Sequence, residues 1–337
     1  MTLRGWRSKL PLILIGGMLI VVAVAIISEL ESDLDVGGES LDDEPTLAVN
    51  VRSFVVGQSP RDVIFDGEKL WVAETGFGTV TGYGLDGQRL DTADVGGQPA
   101  ILASGAGFVW ALDSDDGSAA QLDGDGVVVR KFQIGVEPTG MVFLGDHLWV
   151  TDPSRQSVSQ YSTQGALVEQ LDIGVSPRAI TKTPEQVLVA DGDMLTVTGI
   201  DTNAKIVGSF TYPETLEVTG SEHAPGPPSA FLSTPDDLWI AFGNIGQVMR
   251  LAPSGTYLGL TRVPTGPLSL AWSGSELWAA SADAGTVTRI SGGGAIIATH
   301  DVGGRLTGIA HDGERGWVVD EDKDLLVMLT PVVAIAR

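Results

Sequence analysis

VGQSPRDVIFDGEKLWVAETGFGTVTGYGLDGQRLDTADVGGQP, residues 56 to 99, contains one complete unit of a repeat that continues to the end of the chain. Within it, Asp62 to Phe65 and Leu70 to Ala73 are short apolar runs, Thr79 to Tyr83 alternates, and Arg89 to Val95 leads into the next glycine and proline. Glycines, prolines and Asp-Gly pairs separate these runs, which is the chemistry of short strands joined by tight turns. A helix would need apolar residues at three and four spacing over ten or more positions. No segment after residue 46 offers that between its glycines and prolines.

Three columns repeat the unit in one register. Tryptophan recurs as Trp71, Trp110 and Trp149, is replaced by Leu188, and returns as Trp239, Trp278 and Trp317. The prolines of the Val-Gly-x-x-Pro runs fall at Pro60, Pro99, Pro138, Pro177, Pro228 and Pro267, with Leu306 in seventh place. The turn residues are Gly87, Gly126, Gly165, Ala204, Gly255 and Gly294. Every step is 39 residues except one of 51, so all columns share a single twelve-residue insertion. A fixed period of this length marks a repeat architecture. Four antiparallel strands per unit, seven times over, predict an all-β fold, a seven-bladed β-propeller.

The columns also fit the packing of such a ring. Three residues after each marker proline stand Val63, Leu102, Met141, Ile180, Phe231, Leu270 and Ile309, a large apolar group at one height in each innermost strand. Two residues after it stand Asp62, Ile101, Gly140, Ala179, Ala230, Ser269 and Gly308, mostly small, as crowding at the axis favours. One tryptophan per blade at a fixed register serves packing between blades. The seventh unit lacks an outermost strand after Leu329, whereas Val51 to Val56 precede the first unit as Arg89 to Val95 precede the second. The N-terminal strand is therefore expected to close the last blade, which removes two open sheet edges.

Ahead of the ring, Leu10 to Ile27 is eighteen residues without a charge, preceded by Arg4, Arg7 and Lys9. That length suffices for one transmembrane helix, and the flanking cations retain the N-terminus in the cytoplasm. A cleaved signal peptide is the alternative, with Ala23-Val24-Ala25 near the end of the run, but the run exceeds the usual signal core. Residues 29 to 46 hold Glu29, Glu31, Asp33, Asp35, Glu39, Asp42, Asp43 and Glu44 and read as a solvated linker. The expected organisation is a cytoplasmic stub and membrane anchor over 1–28, an acidic linker over 29–46 and a propeller over 47–337, placed outside the cytoplasm on a single-pass anchor. The absence of cysteine does not oppose this, because a ring of this size buries enough core without disulfides.

The formal net charge is −23, and without the three N-terminal cations the exported part carries −26. Nucleic acid is excluded as a partner on that ground. Solubility, a cationic ligand, a divalent ion or a basic protein surface all suit such a charge.

The unit resembles the YVTN, NHL and streptogramin B lyase-like group of extracytoplasmic β-propellers, in which a G-x-x-P turn, an inner strand, an LWV-[AT]-[DE] strand and a D-G turn recur once per blade. The resemblance covers residues 47 to 337 and implies the fold; the fold by itself carries enzymes, sensors and scaffolds alike. The lyase branch implies a divalent metal and a Glu-x-His acid–base pair late in the chain. No Glu-x-His occurs here, and the four histidines are His147, His223, His300 and His311. A six-bladed metal-dependent lactonase fits less well, since seven units are present. The reading is therefore a ligand- or protein-binding module, with a metal-dependent lyase or hydrolase of the same propeller group as the alternative.

Strand direction places the site. The start of each innermost strand and the end of each second strand share one face, which carries Glu74, Asp113, Asp152, Asp191 and Asp320, three residues after the tryptophan position. One reading is that each carboxylate accepts N–H bonds in its own loop. The other is a Ca²⁺ or other divalent-cation site formed from Asp113, Asp115, Asp116, Asp320, Glu321 and Asp322. Arg61 and Arg178 follow marker prolines in blades one and four and are candidate ligand-binding cations, or partners of Asp62 and the loop carboxylates. Glu222 and His223, in the insertion between Tyr212 and Pro228, are candidates over the same mouth, because departures from a repeat are where function is added.

Overall fold

The computed structural model describes residues 48 to 332, apart from 174, 175, 194, 214, 215, 219, 220, 224 and 225, with the backbone alone for 216–218 and 221–223. Seven four-stranded antiparallel sheets form the ring. Blade 1 is Pro60–Phe65, Leu70–Glu74, Thr79–Tyr83 and Arg89–Asp94 from the axis outward, close to the runs read from sequence. Blade 7 is Leu306–His311, Gly316–Asp320 and Leu325–Pro331, completed by the N-terminal strand Val49–Val55. The closing strand pairs antiparallel with Leu325–Pro331 over its whole length, from Val49 opposite Pro331 to Val55 opposite Leu325. Innermost strands touch from blade to blade around the circle, including blade 7 against blade 1.

The burial pattern explains why the second strands read as continuous apolar runs while the outermost ones do not. Leu70 to Glu74 is buried at every position, because a blade is covered on both faces by its neighbours. Arg89 to Asp94 lies at the rim and buries only Ala93. Each tryptophan of the column fills the space between its own blade and the next: Trp71 meets Leu102 and Val109 of blade 2, and Trp317 meets Val63 and Leu70 of blade 1. All six are within 1% of complete burial. In blades 1 and 7 the indole N–H donates to a carboxylate five residues earlier, Trp71 to Asp66 at 2.6 Å and Trp317 to Asp312 at 2.9 Å.

The turn column needs positive φ, and the structure shows it: Gly87 at 83°, Gly126 at 77°, Gly165 at 80°, Gly255 at 86° and Gly294 at 91°, with Ala204 at 58° where the column departs from glycine. The insertion forms a separate hairpin, Leu216–Val218 against Ser221–His223, in the connection from blade 4 to blade 5.

The expected transmembrane helix over Leu10–Ile27 and the acidic linker lie outside the described residues. Among the described residues no helix is long and apolar enough to cross a membrane. The described residues all belong to one compact unit.

Candidate functional site

Antiparallel pairing sets the marker residue of each innermost strand opposite the last residue of the second strand: Pro60 faces Glu74, Pro99 faces Asp113, Pro177 faces Asp191 and Leu306 faces Asp320. Four carboxylates at this register turn to the chain segment that leads into the innermost strand. Glu74 accepts the Gly57 N–H at 2.8 Å, Asp113 that of Gln98 at 2.5 Å, Asp152 that of Val136 at 2.7 Å and Asp320 that of Arg305 at 3.2 Å. The second oxygen, or the same one, serves the following loop, as Asp113 does for Asp115 and Asp116, and Asp320 for Asp322 and Lys323. An ionised carboxylate is the strongest side-chain acceptor for such amides. Where the acid is missing, Ser281 donates to the Pro264 carbonyl at 3.0 Å.

The structure divides the six candidate metal ligands between two blades. Asp113, Asp115 and Asp116 stand in blade 2, Asp320, Glu321 and Asp322 in blade 7, and blade 1 lies between them. Glu321 instead bridges two guanidinium groups, accepting from Arg61 at 2.9 Å and from Arg305. Among the described residues, no group of three or more His, Asp or Glu side chains converges to hold a metal ion. Loop closure is what the once-per-blade carboxylates do.

Arg61 is therefore an ion-pair residue, but its partner is Glu321 of the neighbouring blade and not the adjacent Asp62. Arg178 differs. It is exposed and forms no ion pair among the described residues. Its side chain stands at the rim of an axial cavity of about 300 Å³, whose wall includes Asp62, Ile101, Gly140, Ala179 and Ser269 from five blades.

Asp62 was read in sequence as an irregular member of a small-residue column and as an alternative partner of Arg61, and among the described residues it is the one carboxylate in the cavity wall. Its Oδ1 accepts the Val63 N–H at 2.9 Å and its Oδ2 the Leu102 N–H of the next blade at 2.8 Å. Ser269 makes the same bridge from blade 6, accepting the Ile309 N–H at 3.2 Å. Asp62 is half-buried, partly exposed to the axial channel, and the surrounding protein limits its contact with bulk water. Burial pushes its carboxyl up to about 7, against the opposing effect of the two amide donors. The signal available in sequence was an acid where its six counterparts are Ile, Gly, Ala, Ala, Ser and Gly.

Among the described residues no histidine lines the axial cavity. His147 starts the second strand of blade 3 and His311 ends the innermost strand of blade 7, both at the opposite, turn face. The His311 ring meets Trp278 edge-on at 5.2 Å, accepts the Gly313 N–H on Nδ1, and is held below the usual imidazole range by burial. His300 lies in the outermost strand of blade 6. The insertion hairpin brings the backbones of Glu222 and His223 to the proline face, while their side chains fall outside the described residues.

No family model matches the chain, and no curated protein sequence does. Solved structures do. A catalytically inactive virginiamycin B lyase from Staphylococcus aureus, solved with quinupristin, superposes with a TM-score of 0.72 at 18% identity, covering 84% of this chain and 100% of that one. A streptogramin B lyase gives 0.72 at 16% identity, with 84% and 98% covered. BamB from Moraxella catarrhalis gives 0.56 at 15% identity, with 82% and 83% covered. With its seven blades, its closing N-terminal strand and these likenesses, the chain is a β-propeller similar in fold to the streptogramin B lyases.

Proposed function

We propose that the protein is a membrane-tethered, extracytoplasmic propeller that binds a ligand or a protein partner at its proline face. The observation that carries this reading is the make-up of the axial mouth. An acid–base lyase needs two titratable groups poised around a reacting atom. The cavity offers a guanidinium, which does not titrate near neutrality, and a carboxyl whose two oxygens already hold backbone amides. Arg178, exposed and without an ion pair among the described residues, suits recognition of an anionic group. Tethering and location rest on the uncharged run Leu10–Ile27 and its flanking cations. Val49 begins the closing strand at the turn face, opposite Pro331.

The test compares partner or ligand recovery by cross-linking on membranes that hold the full chain, its Arg178→Glu variant, and Lys205→Glu, an exposed change at the turn face. Loss with Arg178→Glu alone supports the reading, and equal recovery from all three removes it. Ring opening of quinupristin by the purified chain would favour the lyase alternative instead. Protection of the propeller from protease in right-side-out vesicles would overturn the extracytoplasmic placement.

A further inference from the structure

Every innermost strand begins with a bulge, and the bulge decides where its amides point. In blades 1, 2, 4, 6 and 7 the pairing register shifts within the first two positions after the marker residue. In blades 3 and 5 the residue after the marker proline donates to the second strand, Thr139 to the Thr151 carbonyl and Ser229 to that of Ala241, although Gly140 and Ala230 are the residues that stand opposite those positions. Past such a bulge the alternation of the ladder resumes one residue late. The amide three positions after the marker therefore points off the free inner edge of the sheet. Three blades show this directly: Leu102 donates to Asp62 of the preceding blade at 2.8 Å, Ile309 to Ser269 of the preceding blade at 3.2 Å, and Val63 to the adjacent Asp62 at 2.9 Å.

In blades 4, 5 and 6 the same amide belongs to Ile180, Phe231 and Leu270, which line the axial cavity of about 300 Å³. The residues that precede them around the ring are Gly140, Ala179 and Ala230, whose side chains carry no acceptor. Among the described residues nothing accepts from these three amides. A backbone N–H set apart from bulk water calls for a partner. Each innermost strand runs from the proline face toward the turn face, so the amide stands on the mouth side of its own residue's carbonyl, and a group entering from the mouth meets donors first. Arg178 lies two residues before Ile180 at the rim, while Asp62, the wall carboxylate, belongs to blade 1 across the ring. We propose that the axial cavity binds a tetrahedral oxyanion, a phosphate or sulfate group, on the amides of Ile180, Phe231 and Leu270, with Arg178 as its counter-charge at the mouth. Converging backbone amides bind anions through their dipoles, and an ionised acceptor makes each such bond shorter and stronger. A tetrahedral group offers oxygens toward three blades at once, whereas a carboxylate offers two in one plane. The proposal names the ligand class of the proline-face site and rests on the axial mouth being that site.

Calorimetric titration of the full chain with inorganic phosphate, sulfate, methyl phosphate and acetate tests this. Phosphate and sulfate are expected to bind, and acetate about tenfold more weakly or less. Tighter binding of methyl phosphate than of phosphate assigns the group to an ester, and the reverse order to the free ion. Ala179→Ser combined with Ala230→Ser installs in blades 4 and 5 the hydroxyl that Ser269 uses in blade 6, closing the Phe231 and Leu270 amides. It should weaken phosphate by about tenfold or more, while the melting temperature stays near that of the parent chain. Arg178→Gln, at the exposed rim, should weaken phosphate as well, a readout that holds even if the double variant does not fold. Absence of binding by phosphate and sulfate at millimolar concentration, acetate binding as tightly as phosphate, or an undiminished phosphate affinity in the folded double variant or in Arg178→Gln would overturn the proposal. No partner enters this titration, so its failure beside a cross-link that depends on Arg178 would reject the oxyanion and leave the partner surface standing.

Discussion

Gly87, in the outer turn of blade 1, sits so close under the ring of Phe54, in the closing strand of blade 7, that a Cβ there would lie 2.2 Å from two ring carbons. The same relationship joins Gly165 of blade 3 to Phe132 of blade 2, and Gly255 of blade 5 to Phe210 of blade 4. An aromatic side chain on the outermost strand of one blade thus covers the turn glycine of the next. At Gly87 the contact also fastens the N-terminal strand to blade 1, the neighbour of the blade it completes. Phe54 reaches Trp317 as well, with centroids 6.1 Å apart.

Gly87→Ala should therefore destabilise the ring by about 1–3 kcal/mol, combining a φ of 83° with an overpacked contact. Gly274→Ala, with a φ of 100° and open space around it, isolates the backbone contribution. Denaturant melts of both variants check this: a drop no larger at Gly87 than at Gly274 would mean that the Phe54 contact does not constrain the turn.

Removal of residues 47 to 56 deletes the partner of Leu325–Pro331 over seven paired positions. The truncated chain should melt at a lower temperature and self-associate through the unpaired edge. Calorimetry and light scattering would show it, and an unchanged melt with a monomeric profile would refute closure by this strand.

The repeat made this strand legible in sequence, because the seventh unit lacked what the first had in excess. The same columns located the blade interfaces and the shared face of the prolines and carboxylates. Partners within the site were less accessible. Glu321 reaches Arg61 across 260 positions of chain, and nothing in the spacing of either residue distinguishes that pairing from one with Asp62. Asp62 sat in a column read for its size, and only the closed ring shows that its side chain faces the axis and loses water there. Likewise the Trp-to-Leu change at Leu188 was visible as an exception, but its packing in one cluster with Phe231 and Leu238 of the next blade shows only in the folded ring.

Calcium at millimolar concentration should leave the melting temperature of the propeller unchanged. A ligand that binds only the folded state raises it in proportion to the logarithm of concentration over affinity, but both oxygens of Asp113 and Oδ1 of Asp320 already accept backbone amides, Asp320 Oδ2 lies 3.3 Å from Lys323 Nζ, and Glu321 holds two arginines. A shift that depends on calcium concentration and disappears in Asp320→Asn would show that these loops rearrange to bind the ion.

The final prediction concerns pH. In the unfolded chain Asp62 ionises near 3.8, whereas in the folded ring its carboxyl is pushed up to about 7. A raised carboxyl favours the folded state fully below the lower value, and that advantage is lost as pH rises from about 4 to about 7, above which the buried carboxylate is at its most unfavourable. Asp62→Ser installs the group that blade 6 uses at this position, where Ser269 accepts the next blade's amide. The variant should therefore gain stability over the parent chain as pH increases, with the difference growing between pH 4 and pH 7 and constant above pH 8. Paired thermal melts across that range measure it. A difference independent of pH would mean that Asp62 remains ionised in the channel and that water reaches it freely.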